Sequence, residues 1–300
     1  MTQNTLDTGA ARPAVRPICP VIDAHTHFGR LLFGEAYEDT YDTRAAVDAM
    51  RRSGVERAVV LELEWEAGYE RLLKKLEPAG DFLIPFGSVD ISKAMRPDFE
   101  RIVYRQILDL KAKGCRGIKL WKDITLYGMK YFGRELRLDD SRLSPLFECC
   151  AQERLPVVIH VADPPCFFEP ITPENEHFVC LSRHPEWSFY GKTSFSFADH
   201  MDMQENMLRS HPQTTFVVAH VGSWAENLPE VGRWLDAYPN LFIDISARLD
   251  QLGRRPYTGR AFMEAYQDRI LFGTDFEATF SPARTASFYE THYRFLQAFD

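Results

Sequence analysis

The chain has 300 residues, 45% hydrophobic and 26% charged, and 35 Lys and Arg against 43 Asp and Glu give a net charge of −8. This is an ordinary globular composition, and it argues against nucleic acid or an anionic membrane as the main partner, because both demand a cationic face. No apolar run reaches the roughly 20 residues of a membrane span, residues 1–20 lack a signal-like apolar core, and the six cysteines include no CxxC pair, so a reducing cytoplasm is expected.

Residues 1–20 read as an extension and 21–300 as one domain. Strand-like runs fall at 21–27, 57–63, 82–89, 115–121, 156–161, 214–220, 240–245 and 269–275. Their near-continuous apolarity is what parallel strands buried on both faces require. Helical patterns occupy 43–52 (capped by Asp42, stopped by Ser53-Gly54), 66–77, 97–113, 141–154, 200–210, 226–237, 258–268 and the stretch from about 284. Eight strands alternating with helices predict an α/β fold, a (β/α)8 TIM barrel. An open doubly wound sheet is the alternative, weakened by the lack of a glycine-rich loop after the first strand. Long loops at 122–140, after strand four, and 162–199, after strand five, lie on the face where strands end and read as lids or pocket walls. Their aromatics, Tyr127, Tyr131, Phe167 and Phe168, suit loop packing, and Tyr127 is also a candidate substrate contact.

Four of the runs finish on metal-binding residue types. Val21–His27 carries His25 and His27, which point to one face of a strand and can grip one ion together. His160, His220 and Asp275 end the fifth, sixth and eighth runs, and Lys119 lies in the fourth. The words Ile22-Asp23-Ala24-His25-Thr26-His27, Gly117-Ile118-Lys119-Leu120, Val158-Ile159-His160, Ala219-His220-Val221-Gly222 and Leu271-Phe272-Gly273-Thr274-Asp275 together resemble the amidohydrolase-related branch of the amidohydrolase superfamily, over about residues 21–280.

That resemblance implies a metal held by His25, His27, His160 and Asp275, with His220 and Asp275 catalytic. It also implies that Lys119, if carboxylated, bridges a second ion; otherwise the lysine spans the barrel mouth and pairs with Asp244 or Asp275. Imidazole and carboxylate donors suit Zn²⁺, with Mn²⁺, Fe²⁺ or Co²⁺ as substitutes, and an open position on such an ion lowers the pKa of bound water toward about 7. Asp275 would move the proton and His220 would meet developing negative charge. Asp23 reads as support behind the ligands. Asp244 reads as a substrate contact or a loop anchor, and Arg248 as a solvated basic residue or a fork for a substrate carboxylate. His177, His184, His200, His211 and His292 read as surface or capping residues, and Cys149-Cys150 as core.

The implied function is hydrolysis of a C–O, C–N or ester-like bond in a small, anionic molecule. The alternative is non-oxidative decarboxylation of an unsaturated or aromatic acid, as in other members of the branch. Those decarboxylases often carry proline soon after the last ligand, where this chain has Phe276-Glu277-Ala278, which favours hydrolysis. A binding barrel without catalysis is disfavoured because no expected ligand is missing. Family members usually continue past the last barrel helix, so the end at Asp300 implies a short or truncated chain and leaves open a homodimer built on such a tail.

Overall fold

Alternation along short strands decides which side chains fill the centre and which face the helices. The computed structural model describes residues 14–126 and 132–297. Its strands are β1 (Val21–His27), β2 (Val55–Leu61), β3 (Leu83–Phe86), β4 (Ile118–Leu120), β5 (Val157–Ile159), β6 (Phe216–Val218), β7 (Leu241–Asp244), β8 (Ile270–Leu271) and β9 (Phe276–Glu277). They form two parallel sheets, ordered β3-β2-β1-β9 and β4-β5-β6-β7-β8. Backbone hydrogen bonds join the sheets at both seams: Lys119 N donates to Gly87 O at 2.7 Å, and Ala24 N to Phe272 O at 2.7 Å. The result is the expected barrel. At the first seam Gly117 is obligatory, since a Cβ there would lie 2.1 Å from the Phe86 ring.

Val59, Leu61, Ile84, Phe86, Val158, Val217, Phe242 and Leu271 pack on one another inside the barrel. Their alternates, including Val60, Val157, Ile159, Phe216, Val218 and Ile243, join the large outer core beneath the helices. Lys119 is in register with Val158, which pairs Val217, which pairs Phe242, so a lysine occupies an inward position in an apolar layer.

The helices are α1 (Thr43–Arg52), α2 (Glu66–Leu76), α3 (Phe99–Ala112), α4 (Ser144–Glu153), α5 (Phe197–Ser210), α6 (Leu228–Ala237), α7 (Pro256–Tyr266) and α8 (Pro282–Gln297). Asp42 caps α1 by accepting from Ala45 N at 2.8 Å. Helix α5 begins three residues before the expected position, because Ser196 and Asp199 close a capping box. Among the described residues, no helix is long and apolar enough to cross a membrane.

The two long loops dock on each other. Leu126, Phe167, Leu181 and Phe189 form their own apolar cluster. Phe168 stacks on Phe189 at 4.3 Å, and Glu135 accepts from Thr193 Oγ1 at 3.0 Å and Ser194 N at 2.6 Å. His200 belongs to this junction, its Nε2 bonded to Thr125 Oγ1 at 3.0 Å. His200 and His292 are buried, which corrects their reading as surface residues: each gives its Nδ1–H to a backbone carbonyl one helical turn earlier. Cys149 and Cys150 are core. Tyr127 and Tyr131 lie outside the described residues.

Candidate metal centre

Two histidines two residues apart on β1 point the same way, and the chain after β8 brings a carboxylate to them. His27 Nε2 lies 3.0 Å and His25 Nε2 3.4 Å from Asp275 Oδ1. Donor atoms of these three residues all fall within 4.8 Å of one another. Two donors each about 2 Å from a tetrahedral ion stand about 3.3 Å apart, so this spacing fits one divalent metal.

Each imidazole is held from behind. His25 Nδ1–H donates to Asp244 Oδ2 at 2.8 Å, and His27 Nδ1 faces Glu62 Oε1 at 3.5 Å. A carboxylate at Nδ1 fixes the tautomer that leaves the Nε2 lone pair for a metal. Burial pulls the pKa of His27 down, but hydrogen bonds and charge from Asp275 and Glu62 outweigh it and push it up to about 9. His25 goes the other way, lowered by burial and by Lys119. Burial would raise Asp275, yet its histidine neighbours hold it well below the usual carboxylate range.

The backbone is strained where the chemistry converges. His220, Val221 and Asp275 have φ of 62°, 58° and 69°, the left-handed region that costs a non-glycine residue on the order of 1 kcal/mol. Fixed bonds offset that cost: His220 N donates to Asp244 Oδ1 at 2.8 Å, and Asp275 N to His25 O at 2.9 Å. Gly273 lets the strand-eight turn approach, since a Cβ there would sit 3.0 Å from both the Asp244 and His25 β-carbons. Asp23 anchors the same turn, accepting from Thr274 N at 3.1 Å, Thr274 Oγ1 at 2.5 Å and Tyr289 OH at 2.8 Å. His160, His220 and Asp275 stand just beyond their strands rather than on them.

The rings continue as a row. His220 is 5.2 Å from His25 between centroids, and His160 is 4.3 Å from His220. His220 Nδ1–H donates to Ser246 O at 2.9 Å, so its Nε2 accepts from His160 Nδ1 at 3.2 Å. His160 Nε2 is buried and makes no hydrogen bond, and Asp163 Oδ1 faces it at 3.3 Å. His160 is thus one ring removed from the three convergent donors. Lys119 is fully buried, and burial lowers its pKa to about 8 against the pull of Asp244, Asp275 and Glu62.

Asp244 is also fully buried, with both oxygens occupied by His25, the His220 backbone and Ser246. Its carboxylate is thus taken up by the protein's own groups, with no open surface of its own. Arg248 is not a solvated basic residue: it is 7% exposed, Nη1 donates to Ala247 O at 2.8 Å, and Nη2 has no hydrogen-bond partner. Sequence reasoning missed Glu62, Asp163, Lys122 and Ser246. Asp163 is the hub of a buried cluster, with Lys122 on one oxygen and, on the other, His160 Nε2 at 3.3 Å and Arg248 Nη2 at 3.6 Å. Its position three residues after His160 was the available signal; Glu62 and Lys122 carry no such spacing.

A parallel barrel with imidazole and carboxylate donors converging at its strand ends is the arrangement of a class of metal-dependent barrel enzymes. Residues 22–283 match the Amidohydro_2 amidohydrolase family, and the chain belongs to that family. No curated protein matches its sequence. Among solved structures it is similar to a zinc-bound amidohydrolase from Burkholderia multivorans (14% identity, 93% of each chain covered, TM-score 0.56). It is also similar to 2,6-dihydroxybenzoate decarboxylase from Rhizobium (15% identity, 90% of this chain and 91% of that one, TM-score 0.55). A third likeness is to a putative 2-pyrone-4,6-dicarboxylic acid hydrolase from Pseudomonas putida (14% identity, 92% and 93%, TM-score 0.50). At these identities the likenesses speak for the fold, and family membership makes the chain an enzyme of the amidohydrolase superfamily.

Proposed function

We propose that the protein is a metal-dependent hydrolase of a small molecule with an anionic substituent, using one divalent ion, zinc by donor preference, held by His25, His27 and Asp275. The observation that carries this reading is the double orientation of the β1 histidines, with both Nε2 atoms on Asp275 and both Nδ1 atoms toward carboxylates. When bound, the ion supplies the positive charge that polarises a carbonyl and acidifies water.

The chain's own groups supply the rest. Of the three donors only Asp275 has an open side chain, 30% exposed against 1% and 3%, so it is the one placed to take a proton and return it. His220 is kept neutral by burial and by His160 and Arg248 beside it, and it would meet charge developing on the reacting oxygen. Lys122 and Arg248 share one carboxylate, Asp163, so the cluster carries surplus positive charge for a substrate anion. Lys119 stays an amine in this reading, because a carboxylated lysine would set another negative charge against Asp244, Asp275 and Glu62.

The same surplus charge also suits a carboxylate about to be lost, which favours decarboxylation as the second reading. Turnover in ¹⁸O-labelled water over a panel of esters, lactones, amides and aromatic acids separates the two. Label in the product is the expected result; carbon dioxide release with unlabelled product overturns hydrolysis in favour of the lyase.

A further inference from the structure

The metal centre is closed on most sides. His25, His27 and His220 are buried, and of the three convergent donors only Asp275 has an open side chain, 30% exposed. That carboxylate forms part of the floor of a cleft of about 390 Å³, together with Thr274 and Glu277. One wall is the segment after β7, at Leu249; the other is a face of α8 carrying Arg284, Phe288 and His292. The volume suits a small-molecule pocket, typically about 300–1,000 Å³.

Register decides which side chain of β9 reaches this floor. The pairing of β1 with β9 sets Thr26 beside Phe276 and His27 beside Glu277, and side chains level with one another in adjacent strands share a face. Phe276 therefore turns outward, where it stacks on Tyr289 at 5.7 Å, and Glu277 takes the face of His27. The half-buried Glu277 carboxylate makes no hydrogen bond or ion pair with any described residue. The charges of Arg284, Asp275 and His27 all reach it, yet Arg284 lays its guanidinium over the Phe280 ring, 3.7 Å from the centroid, and not on Glu277. An acceptor without a partner, beside the one metal donor that is open, is placed for a hydrogen-bond donor on a bound molecule.

We propose that this cleft seats the substrate against the metal centre, and that Glu277 is a positioning residue in it. Its carboxylate accepts from a hydroxyl or ammonium group carried next to the reacting bond. The assignment rests on the reading of His25, His27 and Asp275 as metal donors. The anionic substituent lies at the other end of the histidine row, with Lys122 and Arg248.

The test uses three hydroxamic acids of one shape that chelate a metal through the same group. Glycine hydroxamate ends in an ammonium, glycolohydroxamate in a hydroxyl and propionohydroxamate in a methyl. Their binding to the cobalt-loaded full chain is read from the visible absorption of the ion. Glycine hydroxamate should bind at least about tenfold more tightly than propionohydroxamate, with glycolohydroxamate between them, in keeping with the worth of a hydrogen bond to a charged group. Glu277→Gln should remove most of the ammonium's advantage while cobalt content and propionohydroxamate affinity stay unchanged, a pattern that a merely structural role would not produce. Arg284→Gln should keep or widen the advantage. Equal binding of the three by the wild type overturns the proposal whether or not the variants fold. An advantage that survives Glu277→Gln in full, or that is lost in Arg284→Gln, overturns it as well. Protein that retains no cobalt overturns the metal centre and this assignment with it, whereas protein that holds cobalt and binds the three alike overturns this assignment alone.

Discussion

Asp244 and Glu62 do for His25 and His27 what a metal alone cannot: by holding the Nδ1 protons they fix Nε2 as the nitrogen that the ion takes. Asp244→Asn and Glu62→Gln should each weaken metal affinity about 10- to 100-fold with the fold retained, measured by competition with a chromogenic chelator. The raised pKa of His27 adds a pH dependence. Below about 9 the metal-free site holds a proton on His27 that an incoming ion must displace. Metal affinity should therefore rise with pH up to about 9, and loading at pH 7.5 should release protons, measurable by calorimetry in buffers of different ionisation enthalpy. Loading with no proton release would contradict the assigned protonation.

Lys119 makes a residue-scale test of opposite sign. Its folded pKa is depressed to about 8, below the unfolded value, so its burial costs stability at neutral pH and the cost fades as pH rises from about 8 through the unfolded value. In metal-stripped protein Lys119→Met should raise stability at pH 7 by on the order of 2 kcal/mol, and the gain should shrink at pH 10, as read by denaturant unfolding. Lys119→Ala should keep the wild-type metal content; loss of an ion in that variant would mean the lysine is a carboxylated bridge.

At the scale of elements, strands and helices were legible because each carries a single periodicity and most end on an identifiable cap or breaker. Asp42 and Gly54 bound α1 as read, while the Ser196–Asp199 box before α5 went unread because the apolar pattern of that helix begins later. The ligand words were legible for a related reason: an inward strand position shared by His25 and His27 is a matter of parity. The supporting carboxylates were not. Glu62 meets His27, and Lys122 and Arg248 meet Asp163, only through pairing between segments far apart in sequence; Asp163 alone carried a local signal, its spacing of three from His160. The docked loops give a test at this scale. Phe189→Ala removes the centre of their apolar cluster and should cost about 3 kcal/mol locally, seen as faster proteolysis within 162–195 with the barrel's transition preserved.

The whole molecule places a strained, charge-rich centre on the end of an apolar barrel whose interior is filled by Leu61, Phe86, Val158 and Val217. Long-range ties clamp that centre: Asp23 links β1 to the strand-eight turn and to Tyr289 of α8, and Asp244 links β7 to both His25 and His220. The left-handed backbone at His220 and Asp275 can persist because these ties fix it from several sides. The most direct test of the account is the metal content of purified protein, by elemental analysis, for the wild type and for His25→Ala combined with His27→Ala. The account predicts about one divalent ion per chain in the wild type and almost none in the double variant, whose fold remains intact by circular dichroism. Full occupancy in the double variant would contradict it.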